Sequence, residues 1–411
     1  MSSSLKIKTD DVIYRKDLYP RFEPDQNLIT IYSNSVDNLP PIKLNQNHIL
    51  IDGYHRWKAH QTVGKNEIEV EIVETESEAE LEILAYRLNS NHGKQLAQEE
   101  KRIFALKKAE LLTNAEIGEI VSVSESTVSR WTKERRKQLD EQRNQKIVEL
   151  YLKAEYTQEK IAEIFEIDQS IISRVINDSM QKMQTQDLHK DFKPFLYNIW
   201  NLPKADKETD HFGYFPETFM ENLLYYQTQP MGIVYDPFAG SGTTVDVCKR
   251  WLRRYYCSDM KVKPGREEDI KEWKIQDGLP EDLPKPAFVF LDPPYWIQAE
   301  GKYSDSQDDL GNITLDEFYK IFCGFLDVLK KRQVPKIAIV IQPTQYKNDM
   351  NWEDHIFKFH EVLFDKYSIL MRYILPYSTE QYLPQMVIKA KDEKICLGTH
   401  RDLIVWGRNN D

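Results

Sequence analysis

The sequence predicts a multidomain α/β protein in three parts. These are a small mixed α/β domain over residues 1–93, an all-α region over 94–185, and a doubly wound sheet with flanking helices over 194–411. Three observations carry this reading. At 411 residues the chain exceeds what a single hydrophobic core usually serves. Residues 94–185 contain no proline and a single glycine, Gly118, so nothing in them breaks a helical stretch. From residue 194 onward, short apolar runs alternate with segments of helical periodicity.

In the first part, His48–Ile51 reads as a buried strand and Ile68–Val73 alternates as a half-exposed one. Gly53 sits between them, where a strand turns into a helix starting near Tyr54. In the second part, two stretches match at an offset of 44 residues. Ile117, Ile120, Val123, Val128, Ser129 and Arg130 correspond to Ile161, Ile164, Ile167, Ile172, Ser173 and Arg174. Each copy reads as helix, short turn, helix, with Ser124 and Asp168 at the N-caps of the second helices. Met180–Lys193 reads as a polar linker. In the third part the expected strands are Gly232–Tyr235, Tyr255–Ser258, Ala287–Leu291, Lys336–Ile341 and a C-terminal pair including Leu403–Trp406. Leu315–Lys331 carries Phe318, Ile321, Phe322, Phe325, Leu326 and Leu329 at helical spacing, the signature of a core-facing helix.

The bulk numbers narrow the function classes. A net charge of −11 does not advertise a polyanion binder, so nucleic-acid contact would need a local basic surface. Cys248, Cys257, Cys323 and Cys396 are scattered without a CxxC pair, which argues against a zinc site or a disulfide framework and fits a reducing cytoplasm. No metal site is expected. No apolar run approaches the length of a membrane span, and the polar start lacks the apolar core of a signal peptide.

Two motifs carry chemistry. The run ending at Tyr235 continues into Asp236-Pro237-Phe238-Ala239-Gly240-Ser241-Gly242-Thr243. Small residues after a strand let the backbone pass close to a ligand. No lysine follows the glycines, so a phosphate-cradling P-loop is not expected. Asp259 ends the next strand, where a carboxylate commonly takes ribose hydroxyls. The second motif, Asp292-Pro293-Pro294-Tyr295, closes another apolar run. A Pro-Pro turn explains the two prolines but not the acid and the aromatic ring beside them.

Together these motifs resemble the signatures of the amino-methylating nucleic-acid methyltransferases, which move a methyl group from S-adenosylmethionine to an exocyclic amine of adenine or cytosine. The resemblance covers the C-terminal half and implies a Rossmann-like methyltransferase domain. It implies cofactor contacts from Asp236, Phe238, Ala239, Gly240, Gly242 and Thr243, with Asp259 at the ribose and Asp277 at the cofactor's adenine amine. Phe215 and Pro216, closing His211-Phe212-Gly213-Tyr214-Phe215-Pro216, would also lie near the cofactor. It assigns catalysis to Asp292, Pro293, Pro294 and Tyr295. An aromatic amine is a poor nucleophile because its lone pair is delocalised. The Asp292 carboxylate and the Pro293 carbonyl would accept its hydrogens, while Tyr295 offers a face for an extruded base. Methylation at cytosine C5 would need a Pro-Cys nucleophile, and no cysteine here follows a proline. Asp at the head of the tetrad favours adenine N6 over cytosine N4. The order, cofactor turn before tetrad, departs from the subgroup with the most similar DPFAGSGTT string, and no target-recognition insert separates the motifs.

Ile51-Asp52-Gly53-Tyr54-His55-Arg56-Trp57-Lys58-Ala59, with Asn89-Ser90-Asn91-His92-Gly93 further on, resembles the core of the ParB N-terminal (ParB/sulfiredoxin-like) domain. The resemblance implies a phosphate or nucleotide site at Gly53, His55 and Arg56, with a nucleoside triphosphate and magnesium as one ligand. Tyr54 stands where sulfiredoxins have their cysteine. Trp57-Lys58 stands where segregation proteins have a second arginine. A fold kept for docking or DNA contact is the alternative. The helical repeats resemble paired helix-turn-helix units, with 124–131 and 169–176 as recognition helices. They imply contact with double-stranded DNA through Ser126, Thr127, Arg130, Arg135, Arg136, Ser170 and Arg174.

The combined expectation is a DNA methyltransferase acting on a flipped adenine, as a monomer or a homodimer. The alternatives are cytosine N4 chemistry in the same site, RNA methylation, and a DNA-binding regulator whose methyltransferase domain senses the cofactor.

Overall fold

The computed structural model describes residues 5–21, 23–91, 96–185, 192–202, 215–296, 309–345, 352–376 and 384–409. The chain divides into two compact units, Met1–Arg143 and Asn144–Asp411.

The first unit opens with β1 (Leu5–Lys8), α1 (Gln26–Ser33), β2 (Ile42–Leu44), β3 (Leu50–Asp52), α2 (Tyr54–Thr62) and β4 (Glu67–Ile72). The four strands form one sheet in the order β1-β4-β2-β3, with β2 parallel to β4 and the other pairs antiparallel. Ile42, Leu44, Leu50, Trp57, Ile68 and Val70 fill its core. The strand expected from His48 starts two residues later. His48 has a positive φ of 59°, and the Asn45 side chain accepts the Asn47 and Ile49 N–H groups, so 45–49 forms a tight turn. Helices α3 (Glu78–Asn91), α4 (Gln98–Lys108), α5 (Asn114–Val121) and the beginning of α6 (Glu125–Leu152) complete the unit. His92 and Gly93 lie outside the described residues.

Helix α6 runs for 28 residues, well beyond the short recognition helix expected from the repeat. It contains neither glycine nor proline to stop it. The boundary between the units falls inside it. The second helical pair, α7 (Gln158–Phe165) and α8 (Gln169–Thr185), therefore groups with the C-terminal unit. Hydrogen bonds account for this grouping. Ala154 N–H donates to Tyr255 O at 2.8 Å. The Arg254 guanidinium donates to the carbonyls of Tyr151, Ala154 and Tyr156 at 2.8–2.9 Å.

The rest of this unit comprises α9 (Glu217–Gln227), β5 (Ile233–Asp236), α10 (Thr243–Arg250), β6 (Arg254–Asp259), β7 (Ile270–Glu272), β8 (Phe288–Leu291), α11 (Leu315–Lys331), β9 (Lys336–Ile341), β10 (Thr344–Gln345), β11 (Trp352–Glu353), α12 (His355–Leu363), β12 (Tyr367–Pro376), α13 (Pro384–Asp392) and β13 (His400–Arg408). Seven strands form one sheet, ordered β12-β13-β9-β8-β5-β6-β7. Strands β5 to β9 are parallel, while β13 inserts antiparallel between β9 and β12. Two apolar layers cover the sheet. One includes Phe219, Leu223, Val245 and Trp251; the other includes Phe318, Phe322, Phe325, Leu326 and Leu329 from α11. The apolar spacing read in 315–331 thus faces the core. Among the described residues, no helix is long and apolar enough to cross a membrane.

Candidate active site

Strands β5 and β8 are neighbours at the middle of the sheet. The chain continues from β5 to β6 on one flank and from β8 to β9 on the other. This reversal of strand order opens a crevice at the carboxyl ends, where ligands bind in open parallel sheets. Both sequence motifs begin there.

Asp236 ends β5 and is only 2% exposed. Its Oδ1 accepts the Phe238 N–H at 2.9 Å, and its Oδ2 accepts the Thr244 hydroxyl at 2.5 Å. Asp259, ending β6, accepts the Gly240 N–H at 2.8 Å and the Lys261 N–H at 3.1 Å. Ala239 N–H donates to Ser258 O. The two acids therefore hold the Gly-rich turn in shape. Each carboxylate oxygen keeps a further lone pair for a ligand. Gly242 caps α10 at φ 90° without a side-chain cap, and a Cβ there would meet the Arg266 guanidinium at 2.9 Å. Arg266 is fixed over the turn by a two-point pair with Asp246 at 2.6–2.7 Å. Thr243 opens α10, Phe238 is half-buried and Ala239 is buried. Asp277 is exposed at the end of a short 3-10 turn, Ile275–Asp277.

The tetrad follows β8. The Tyr295 hydroxyl donates to Asp292 Oδ1 at 3.0 Å. The Pro294 carbonyl accepts the Trp296 N–H at 2.7 Å. Among the described residues, no N–H reaches the Pro293 carbonyl. Trp296 has a positive φ of 48°, uncommon for so large a residue, and its indole N–H donates to Ile313 O at 2.8 Å. That bond holds the end of the tetrad. Burial pushes the Asp292 carboxyl up to about 7, against the opposing pull of Arg401 and the Tyr295 hydroxyl. Burial likewise pushes Asp236 up to about 7, with Thr244 and Phe238 opposing and the Asp292 charge adding to the rise. Burial also raises Asp259.

Arg401, at the start of β13, escaped the sequence reading. Its guanidinium lies 4.0 Å over the Phe215 ring, and its Nη1 donates to the Tyr295 hydroxyl at 3.3 Å. Phe215 is buried and stacks on Phe219 at 4.3 Å, while Pro216 caps α9. His211, Phe212, Gly213 and Tyr214 lie outside the described residues. The sequence carried no signal for Arg401, which lies 106 residues after Tyr295. Thr244 could have been found within the Gly-Thr-Thr string.

The two helical pairs share their local construction. Thr113 caps α5 through the Glu116 N–H and Thr157 caps α7 through the Lys160 N–H. Ser122 and Glu166 both take left-handed φ at the turn. The Ser124 hydroxyl accepts the Thr127 N–H at 3.3 Å, and Asp168 accepts the Ser170 N–H at 2.7 Å. Ser126, Arg130, Ser170 and Arg174 are exposed, and Thr127 and Arg135 are half-buried. Arg136 differs. It donates to Asn114 Oδ1 at 3.0 Å and to the Leu112 carbonyl at 2.6 Å, tying α6 to the start of α5. Ser173 similarly donates to Gln158 at 2.6 Å.

In the first unit, Gly53, His55 and Arg56 line a cavity of about 660 Å³ together with Arg21, Glu23, Asp25, Asp52 and Glu100. Gly53 has φ 103°, and a Cβ there would strike Ile42 at 2.6 Å and Arg56 at 2.9 Å. Arg56 pairs with Asp52 at 2.7 Å, while its buried Nε has no partner. His55 Nε2 accepts the Asp25 N–H at 3.0 Å.

The sequence profile of the DNA methylase family matches residues 21–264. The chain belongs to the DNA methylase family. The matched span contains the Gly-rich turn and ends before Asp292. A relative, the type II methyltransferase M.BglII of Bacillus subtilis, is 36% identical over 56 residues. That alignment covers 14% of this chain and 16% of the relative's length. Solved structures similar to parts of the chain include the following two. The C-terminally truncated chromosome-partitioning protein ParB of Caulobacter crescentus, complexed to the centromeric parS site, is 18% identical, with a TM-score of 0.26 over 31% of this chain and 70% of its own. A SAM-dependent O-methyltransferase of Thermotoga maritima is 12% identical, with a TM-score of 0.29 over 50% of this chain and 70% of its own.

Proposed function

We propose that this DNA methylase family member transfers a methyl group from S-adenosylmethionine to the exocyclic N6 of a flipped adenine in double-stranded DNA, with cytosine N4 as the alternative target. One observation carries the reading: the Gly-rich turn held by Asp236 and the Asp292-to-Tyr295 tetrad both start at the crevice where the strand order reverses. The residues fit the cofactor. The turn presents a Gly242 backbone whose φ of +90° disfavours any side chain, and Asp236, Asp259 and the exposed Asp277 supply carboxylates for its amino, ribose and adenine groups. Phe215, Pro216, Phe238, Ala239, Gly240 and Thr243 complete the walls. When bound, the cofactor supplies an electrophilic methyl group on a sulfonium.

Asp292 and the Pro293 carbonyl accept the hydrogens of the target amine. This draws its lone pair out of conjugation and aims it at the methyl carbon. Held by these residues, S-adenosylmethionine would give its methyl group to the amine, with the sulfur–carbon electron pair staying on sulfur. Asp292 or solvent then takes the surplus amine proton. The rigid Pro293-Pro294 backbone keeps the carbonyl in place, and the Tyr295 ring stacks on the base, offsetting part of the few kcal/mol lost on flipping. Nucleoside mass spectrometry of DNA from cells expressing the protein tests this. N6-methyladenine supports it, N4-methylcytosine selects the alternative, and neither product refutes both.

Recognition falls to the helical pairs. Ser126, Thr127, Arg130, Arg135, Ser170 and Arg174 make the DNA contacts, whereas Arg136 serves the scaffold. Arg130→Ala and Arg174→Ala each weaken binding to cognate duplex, by about 1–3 kcal/mol where the contact is bidentate to a base. Fluorescence anisotropy against cognate and random duplex measures the loss. Wild-type affinity in both variants would make these helices scaffold. The division 1–93, 94–185 and 194–411 is the functional one in this reading.

A second site is supported by the cavity at Gly53, His55 and Arg56, where the start of a helix and the Arg56 guanidinium suit an anion. It binds phosphate without turnover. A thermal-shift screen of nucleoside triphosphates with magnesium tests it. A specific shift that vanishes in Arg56→Ala establishes a nucleotide ligand. No shift, with weaker DNA binding in the same variant, assigns the site to the DNA backbone. Neither effect removes the site.

A further inference from the structure

We infer that Arg401 is a positioning residue of the target-base site. Its guanidinium, seated between the Phe215 ring and the Tyr295 hydroxyl, fixes the orientation of Tyr295 and, through it, of the Asp292 carboxylate. The inference rests on the methyltransferase reading above and adds a residue that neither motif contains.

Strand β13 runs antiparallel beside β9, with Asp402 in register with Ile341. The first residues of β13 therefore lie at the same end of the sheet as the last residues of β9 and, one strand over, of β8. That is the end from which Asp292 projects. Side chains alternate along a strand, so Arg401 shares a face with Leu403 and Val405. Those two belong to the same apolar layer as Phe215. The face and the strand end together bring Arg401 to both the cofactor-side ring and the target-side phenol.

Hydrogen-bond chemistry then gives the contact a direction. A guanidinium has donors only, so its 3.3 Å contact uses a lone pair of the Tyr295 oxygen. The phenol proton is left for Asp292 Oδ1 at 3.0 Å. The chain Arg401→Tyr295→Asp292 thus has one polarity. It occupies Oδ1 and leaves Oδ2 to meet the amine. Held at its ring tip, the Tyr295 side chain keeps its axis fixed beside the base. The stack of Arg401 on Phe215 keeps the guanidinium from swinging to solvent.

Electrostatics supports the same role. Among the described residues, the titratable and charged groups that interact with Asp292 are Tyr295 on its own segment, Arg401 from β13 and Asp236 from β5. Burial disfavours a charged Asp292, and Arg401 and the Tyr295 hydroxyl oppose it. Arg401 is, among the described residues, the cation that does so. Amine methylation needs the carboxylate, so activity is present above the Asp292 midpoint and lost as pH falls through it. Removing Arg401 moves that midpoint up.

The test compares Arg401→Gln and Arg401→Lys with the wild type. Calorimetry with S-adenosylmethionine and thermal melts first establish that both variants are folded and bind cofactor. In Arg401→Gln, the acid limb of kcat/KM for DNA moves up by roughly one to two pH units, the usual effect of losing a nearby opposite charge. In Arg401→Lys, the limb returns toward the wild-type position while the plateau stays below wild type, because an ammonium lacks the planar fork that stacks on Phe215. A limb unmoved in Arg401→Gln overturns the inference. A direct readout is independent of turnover. The Asp292 carboxyl carbon is followed by NMR in protein labelled at aspartate, with Asp292→Asn to assign it. Its midpoint rises in Arg401→Gln if the inference holds; an unchanged midpoint refutes it. A wild-type protein that methylates no base refutes the methyltransferase reading, and the NMR midpoint still decides for or against Arg401.

Discussion

Asp292→Ala abolishes methyl transfer to DNA and leaves S-adenosylmethionine binding nearly intact. In the proposed reaction the carboxylate faces the target amine, and in the structure it accepts the Tyr295 hydroxyl. It holds no N–H of the Gly-rich turn, so that turn keeps its shape without it. Loss of a positioned acceptor and proton site costs about a hundred- to ten-thousand-fold in rate. Calorimetry with cofactor, beside a methyl-transfer assay on duplex DNA, checks the split. Joint loss of binding and activity would move Asp292 to the cofactor site. In the wild type, Asp292 is pushed up to about 7, so transfer falls as pH drops through that value. The sign follows from the need for an ionised acceptor.

Asp236→Ala loses the cofactor and also loosens the fold. Its two oxygens hold the Phe238 N–H and the Thr244 hydroxyl in a site that is 2% exposed. Leaving buried partners unsatisfied costs about 1–3 kcal/mol each. Asp236→Asn separates the two roles. The amide oxygen still accepts the Phe238 N–H and Thr244 keeps a neighbour, so the melt stays near wild type. The charge that the proposed reading sets against the cofactor's ammonium is gone, and affinity falls by about 1.5–3 kcal/mol. Because Asp236 is raised to about 7 in the free protein, wild-type affinity for the cofactor increases as pH rises through that value, and Asp236→Asn is flat over the same range. Isothermal titration across that interval gives the answer. A sloped profile in Asp236→Asn would show that another group controls cofactor affinity.

The pH dependence of stability follows from the same two acids. Both have folded-state values raised above the ordinary carboxylate value of about 4. Between about 4 and 7 the folded protein therefore binds more protons than the unfolded chain. Their contribution to stability is greatest below that window and declines as pH rises through it.

The sequence by itself determined the elements and the chemical alphabet of the site. The 315–331 spacing, the β5 and β8 runs and the Ser124 and Asp168 caps are local patterns, and each forms as read. The two acid-bearing motifs were legible because each lies within a few consecutive residues at a strand end, where backbone geometry fixes their direction. Tertiary structure alone decided the rest. Arg401 joins Tyr295 because an antiparallel strand inserts beside β9, a pairing that no local pattern encodes. Arg136 looks like one more base in a cationic cluster, yet it is spent on Asn114 and Leu112. The second helical pair groups with the C-terminal unit because Arg254 captures three carbonyls about a hundred residues before it. Side-chain spacing reveals which face of an element is apolar. Which distant element covers that face, and which polar group is consumed in doing so, depends on contacts that exist only once the chain has folded.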